Sequence, residues 1–140
     1  MSTLKTTLTG YAGYRGRQGH WGFLLHRITG LGTLLFLAIH IVSTAMVYIA
    51  PERYNEELKL YQTPLIMIME IFLVFSVIFH GVNGLKIAIF DLLKPSMWKI
   101  EAWRKYRWAP VIIALILWLP TAAIMGYNVL RYGFKLIGGE

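Results

Sequence analysis

The chain has 140 residues, of which 56% are hydrophobic and 15% are charged, and its formal net charge is +7. Soluble domains are about 45–50% apolar and about 25% charged, so this composition indicates a membrane protein of one domain. The absence of cysteine excludes disulfides and iron–sulfur or cysteine–zinc sites within the chain. On a membrane protein the excess of Lys and Arg indicates topology, and we expect no nucleic-acid partner.

The N-terminal residues 1–23 are polar, glycine-rich and basic. We interpret them as a surface segment, either disordered or ordered against a partner. We expect no cleaved signal peptide, because the segment lacks an apolar core followed by a small-residue cleavage site.

Apolar runs make up most of the remaining chain, within a predicted anchor domain of residues 24–130. Each run is long enough to span the hydrocarbon, which takes about 20 helical residues. The predicted spans are residues 24–49, 65–90 and 108–130. The sequence therefore predicts an all-α integral membrane protein with three transmembrane helices.

The connections between the spans are polar. Residues 50–64 are bracketed by prolines and favour a short surface helix. Residues 91–107 combine basic and aromatic side chains, as is typical of an interfacial loop. Pro120 lies inside the third run and should kink it, and residues 131–140 form a short tail.

The Lys and Arg residues near the spans are distributed unevenly. Nine lie in the N-terminal segment through Arg27 and the second connection, against four in the first connection and the tail. This bias predicts a cytoplasmic N-terminus and second connection, with the C-terminus outside. Three helices make only a small bundle, so we expect a partner anchor subunit to complete a larger one.

His80 stands out because an ionisable residue within a span is costly and usually faces protein, a cofactor or a cavity. Ser76, His80 and Gly84 share one helix face at i, i+4 spacing. The small residues leave a flat space beside the imidazole, which a planar cofactor or a close helix would fill. His80 is therefore either a haem ligand or a neutral histidine in a helix contact.

Residues near the predicted cytoplasmic ends of the first two spans are further candidates for a functional role. His26 and Arg27 are either an interfacial pair that snorkels to headgroups or a site for a quinone carbonyl or a haem propionate. Lys86 and Arg27 are the candidate cations for haem propionates.

His40 lies about 21 Å from His26 along a helix, at 1.5 Å per residue. His80 lies about 16 Å from the boundary at Asp91 by the same rise, so we expect His40 and His80 at comparable depth. A bis-histidine haem within the chain, a second haem and a plain helix contact all remain open for His40. Glu70 and Asp91 need no special role.

Two motifs in this order resemble a known family. His-Arg-Ile-Thr-Gly at 26–30, and Phe-His-Gly-Val-Asn-Gly-Leu-Lys at 79–86 with Asp91, are similar to signatures of the cytochrome b membrane-anchor subunit of succinate dehydrogenase (complex II). The resemblance covers residues 23 to about 130.

The resemblance implies a multi-pass subunit of the bacterial inner (plasma) membrane that anchors a flavoprotein subunit carrying FAD and an iron–sulfur subunit. The chain alone would not oxidise succinate; it would help form the site where a quinone accepts electrons from the iron–sulfur subunit. The resemblance also implies that His80 is an axial ligand of haem b, with the second ligand from a second hydrophobic anchor. His26 and Arg27 would lie in the quinone and propionate region.

The chain departs from the family pattern at three positions. Phe23 stands where many members have a serine that contacts quinone, and Lys86 and Ile87 stand where Arg and His are usual. Lys offers a point charge where Arg offers a planar guanidinium, so the resemblance does not carry over the propionate contacts or the pose of the quinone, menaquinone or ubiquinone.

Two other functions are compatible with the residues. The first is a haem-free structural membrane anchor, in which His80 only packs. The second is an accessory subunit of a transporter, with His40, Glu70 and His80 in a proton path. Sparse charges in the spans and the lack of a broken-helix repeat argue against the transporter.

Overall fold

The computed structural model describes residues 19–95, 99 and 105–135. These residues form four α-helices and contain no β-strand, which confirms the all-α prediction. The helices are α1 Gly19–Ile49, α2 Pro51–Tyr61, α3 Pro64–Leu92 and α4 Ala109–Asn128, and α4 continues into a π-helical turn, Val129–Gly133. Most of the predicted N-terminal segment, and about half of the interfacial loop and of the tail, lie outside the described residues.

The described helices confirm the prediction of three membrane spans. Long apolar stretches cover Trp21–Ile49, Pro64–Leu92 and Ala109–Gly133. Their outward side chains are apolar: Leu31, for example, is 69% exposed. In the absence of water this apolar surface faces lipid or the apolar surface of another subunit.

Prolines set the starts of the helices after α1. Each of α2, α3 and α4 has a proline in its first two positions, where the missing N–H has no helical partner to lose. The short helix α2 buries no residue and does not span. A hydrogen bond of 2.9 Å between the hydroxyls of Ser43 and Tyr61 ties its end to α1.

Helix α3 is the centre of the bundle and packs against both α1 and α4. Phe79 and Ala114, from α3 and α4, are almost fully buried. Lower in the same interface, Trp118 meets the Phe75 ring edge to face at 5.4 Å. Its indole Nε1–H donates a 2.9 Å hydrogen bond to the carbonyl oxygen of Ile71.

We expect Trp118→Phe to destabilise the α3–α4 contact modestly. The substitution keeps an aromatic ring beside Phe75 but removes the indole N–H, and a buried hydrogen bond contributes about 0.5–1.5 kcal/mol. The midpoint of thermal unfolding of the purified protein in detergent should fall by a few degrees. An unchanged midpoint would show that the bond contributes nothing to the packing of the two helices.

Candidate functional site

Helix α1 covers the face of α3 that carries His80. A Cβ atom added at Gly30 would lie 2.9 Å from the His80 Cε1 atom, and one added at Gly32 would lie 2.8 Å from the Ser76 hydroxyl. Real Cβ atoms do not approach so closely, so the two glycines are what lets α1 pack on His80 and Ser76. Of the two occupants predicted for the space beside the imidazole, a close helix is the one found on this side.

The His80 imidazole is oriented by the backbone of α1. Its Nδ1 atom lies 3.1 Å from the carbonyl oxygen of His26. Because a carbonyl oxygen only accepts, this bond requires the proton on Nδ1 and leaves the lone pair on Nε2. A histidine held in this way is prepared to offer Nε2 to a metal.

The side chains of His26 and His80 also meet directly. Their rings stack with centroids 4.2 Å apart and an interplanar angle of 4°. Gly84 of α3 lies opposite, where an added Cβ would make only an ordinary van der Waals contact of 3.9 Å with His26 Cε1. The two motifs found in the sequence are therefore joined by one stacked pair of imidazoles.

A cavity of about 330 Å³ lies beside His26. It opens between the start of α1, the last third of α3 and the start of α4, so it lies at the predicted cytoplasmic end of the bundle. Aromatic and aliphatic side chains form most of its wall. The polar side chains in the lining are His26, Asn83, Lys86 and Arg107.

Two residues of this lining each have a buried nitrogen atom that lacks a hydrogen-bond partner. Across the described part of the chain, three buried side-chain polar atoms are unpartnered: His26 Nδ1, Glu57 Oε2 and Arg107 Nε. Two of the three belong to residues that line the cavity, His26 and Arg107. Since buried polar groups are nearly always hydrogen-bonded, a ligand with acceptor oxygens suits this cavity.

The structure separates Arg27 from its neighbour His26. Arg27 is exposed, and its guanidinium carbon lies 5.3 Å from the centroid of the Phe23 ring. Phe23 itself lines the cavity, at the position where many family members have a serine. The three residues expected in the quinone and propionate region are therefore separated. His26 and Lys86 line the cavity, whereas Arg27 does not.

His40 lies far from His80. The His80 ring contacts Gly30 and His26, and His40 is ten residues beyond Gly30, or about 15 Å along the axis. His40 is exposed and stacks on Phe36 of its own helix at 5.5 Å. The expectation of comparable depth was wrong because it set His26 level with Asp91, whereas the His26 ring stacks on His80, eleven residues before Asp91 on α3.

Reasoning from the sequence missed the contribution of α4 to the site. Arg107, predicted in the interfacial loop, and Trp108, predicted at the start of the third span, both lie in the cavity lining. So does the buried amide of Asn83, whose side chain is 7% exposed. The sequence contains one indication of this contribution. Arg107 lies just before a helix start that is marked by a proline, and this position brings a loop cation to the end of the bundle.

Comparison with known proteins agrees with the two motifs. Residues 9–121 match the family described as succinate dehydrogenase/fumarate reductase transmembrane subunit. The chain is also 34% identical over 115 residues to the succinate dehydrogenase 2 membrane subunit SdhC of Mycobacterium tuberculosis, with 82% of each chain covered. This confirms the resemblance to the membrane anchors of complex II, and with it the role of a multi-pass membrane subunit in an enzyme complex. The chain belongs to the family of succinate dehydrogenase and fumarate reductase transmembrane subunits.

Proposed function

We propose that this chain is the membrane anchor of a succinate:quinone oxidoreductase that binds haem b through His80 and forms part of the quinone site. The observation that carries the proposal is the stacked pair of His80 and His26. One imidazole is prepared to ligate a metal, and the other presents an unpartnered buried nitrogen beside a cavity.

The residues around His80 suit a haem ligand. The bond from Nδ1 to the His26 carbonyl fixes the ring and the tautomer, and the half-buried side chain keeps a side that α1 does not cover. When bound, haem b supplies a one-electron redox centre. We assign the second axial position to the second hydrophobic anchor subunit, since His40 is too distant to share one iron with His80.

The cavity suits the headgroup of a quinone, either menaquinone or ubiquinone. Ligand pockets typically occupy about 300–1,000 Å³ and combine apolar walls with a few polar groups. The cavity lies at the small end of that range, which fits a ring but not an isoprenoid tail. His26 and Lys86 supply donors for the carbonyl oxygens or for a haem propionate, and Arg27 serves the same region from its exposed position.

We infer that the N-terminus and the second connection face the cytoplasm, where the flavoprotein and iron–sulfur subunits dock. The cavity lies at this end of the bundle, so a quinone held there is next to the electron donor. The exposed apolar faces of the helices supply the surface for lipid and for the second anchor subunit.

Purification of the affinity-tagged chain from native membranes tests the proposal. We expect a flavoprotein, an iron–sulfur protein and a second small hydrophobic subunit in the preparation, with at least one haem b for each flavin. The measurements are mass spectrometry of the subunits and the reduced-minus-oxidised spectrum. Membranes without the tagged chain serve as the control, and a preparation without flavoprotein would contradict the proposal.

A haem-free structural anchor is the second candidate, and the packing of α1 on His80 favours it. Gly30, the His26 carbonyl and the His26 ring already contact the imidazole without any cofactor. In that case the same preparation would contain the partner subunits in full amounts but would be colourless in the haem region.

A further inference from the structure

We propose that Arg107 binds the quinone headgroup in the cavity by donating a hydrogen bond from its guanidinium to a carbonyl oxygen. This inference rests on the proposed function, because it assigns a further binding residue to the same quinone site. Arg107 adds the segment just before α4 to a binding site whose two sequence motifs lie on α1 and α3.

The first support is the environment of the Arg107 Nε–H group. This atom is buried, and it has no hydrogen-bond partner among the residues that the structure describes. A buried donor without a partner has lost its hydrogen bonds to water and gained none in return, which is unfavourable. An acceptor in the adjoining cavity removes that imbalance.

The second support is the composition of the cavity wall. Cationic Lys86 and Arg107 are both in the lining, and no described lining residue is a carboxylate. The charged groups of the wall are therefore donors only, and a ligand with acceptor oxygens can pair with the unpartnered Nε–H of Arg107. A quinone has two carbonyl oxygens, and the cavity is lined by His26 from α1 and by Arg107 from the segment just before α4.

The third support is the way the side chain is held. The Arg107 guanidinium lies 5.9 Å from the ring centroid of Trp108, and Pro110, three residues after Arg107, is buried at the start of α4. Stacking and a fixed helix start limit the positions of the guanidinium. Arg27, by contrast, is exposed and does not line the cavity.

The test is Arg107→Gln in the complete complex, assayed with succinate and a water-soluble quinone analogue. We expect the KM for the quinone to rise about tenfold or more, the change that corresponds to losing one good hydrogen bond. Succinate oxidation with a dye that accepts electrons before the quinone site should be unchanged, which shows that the partner subunits remain assembled. An unchanged KM for the quinone would overturn the inference.

Arg131→Gln is the matched control. Arg131 also stacks on the next residue, with its guanidinium 5.2 Å from the Tyr132 ring, but it is exposed and lies at the other end of the bundle. We expect its KM for the quinone to equal that of the wild type. An equal rise in both variants would overturn a specific role for Arg107.

Arg107→Lys keeps the inference falsifiable if the glutamine variant fails to assemble. Lysine keeps the positive charge but lacks the Nε–H group, so we expect assembly with a raised KM, and a wild-type KM would overturn the inference. His26→Phe separates this inference from the proposed function. If His26→Phe raises the KM and Arg107→Gln does not, only the inference fails; if neither variant raises it, the cavity is not the quinone site.

Discussion

A complex that carries His80→Ala should contain no haem b. Alanine removes the imidazole whose Nδ1–H bond to the His26 carbonyl leaves Nε2 available to iron. A carbon side chain offers no ligand in its place, so we expect the haem bands of the reduced-minus-oxidised spectrum to fall to background. Succinate oxidation with the dye acceptor reports on assembly in the same sample.

His40→Ala is the matched control for this substitution. His40 is also a histidine within a span, but it is exposed and about 15 Å along α1 from the level of His80. We expect the haem b bound through His80 to persist in this variant. Loss of haem as complete as in His80→Ala would contradict a second axial ligand from the partner anchor.

Unchanged haem content in His80→Ala would contradict the ligand role itself. His80 would then be a packing histidine, and the haem-free anchor or a haem held elsewhere would have to replace the proposal. His80→Asn distinguishes a ligand from a packing residue if haem is lost. The asparagine amide can still donate a hydrogen bond to the His26 carbonyl. Loss of haem with retained assembly in this variant would therefore indicate that His80 ligates the iron.

Gly30→Val should prevent stable packing of α1 on α3. An added Cβ would lie 2.9 Å from His80 Cε1 and 3.2 Å from Nδ1, and valine adds two further methyl groups. The imidazole cannot move away easily, because it is bonded to the His26 carbonyl and stacked on the His26 ring. Overpacking of this kind costs about 1–3 kcal/mol, and more where a helix backbone has to shift.

The measurement is the amount of assembled complex recovered in detergent and its midpoint of thermal unfolding. We expect Gly30→Val to reduce recovery strongly and Gly30→Ala to lower the midpoint less. Gly81→Val is the control, since Gly81 lies beside His80 on α3 and an added Cβ there meets nothing within 4 Å. An equal loss in both valine variants would attribute the effect to helix propensity, not to the α1–α3 contact.

The spans and the two histidines of the motifs were predictable from local properties. Apolar length compared with the hydrocarbon thickness identifies a span without knowledge of its neighbours. The cost of an ionisable group in a span is enough to single out His80. The expected depth of His40 was wrong, because the sequence does not show that His26 packs level with His80 and not with Asp91.

The sequence by itself determined an all-α membrane protein with three spans and placed His26 and His80 among the residues to consider. The tertiary structure alone decided that the two imidazoles stack, that Arg107 and not Arg27 lines the cavity, and that α1 covers one side of His80. The reason is physical. Which side chains meet across helices depends on the rotation and depth at which the helices pack, and here Gly30 and Gly32 permit a close approach of α1 to His80 and Ser76 that an added Cβ atom would obstruct.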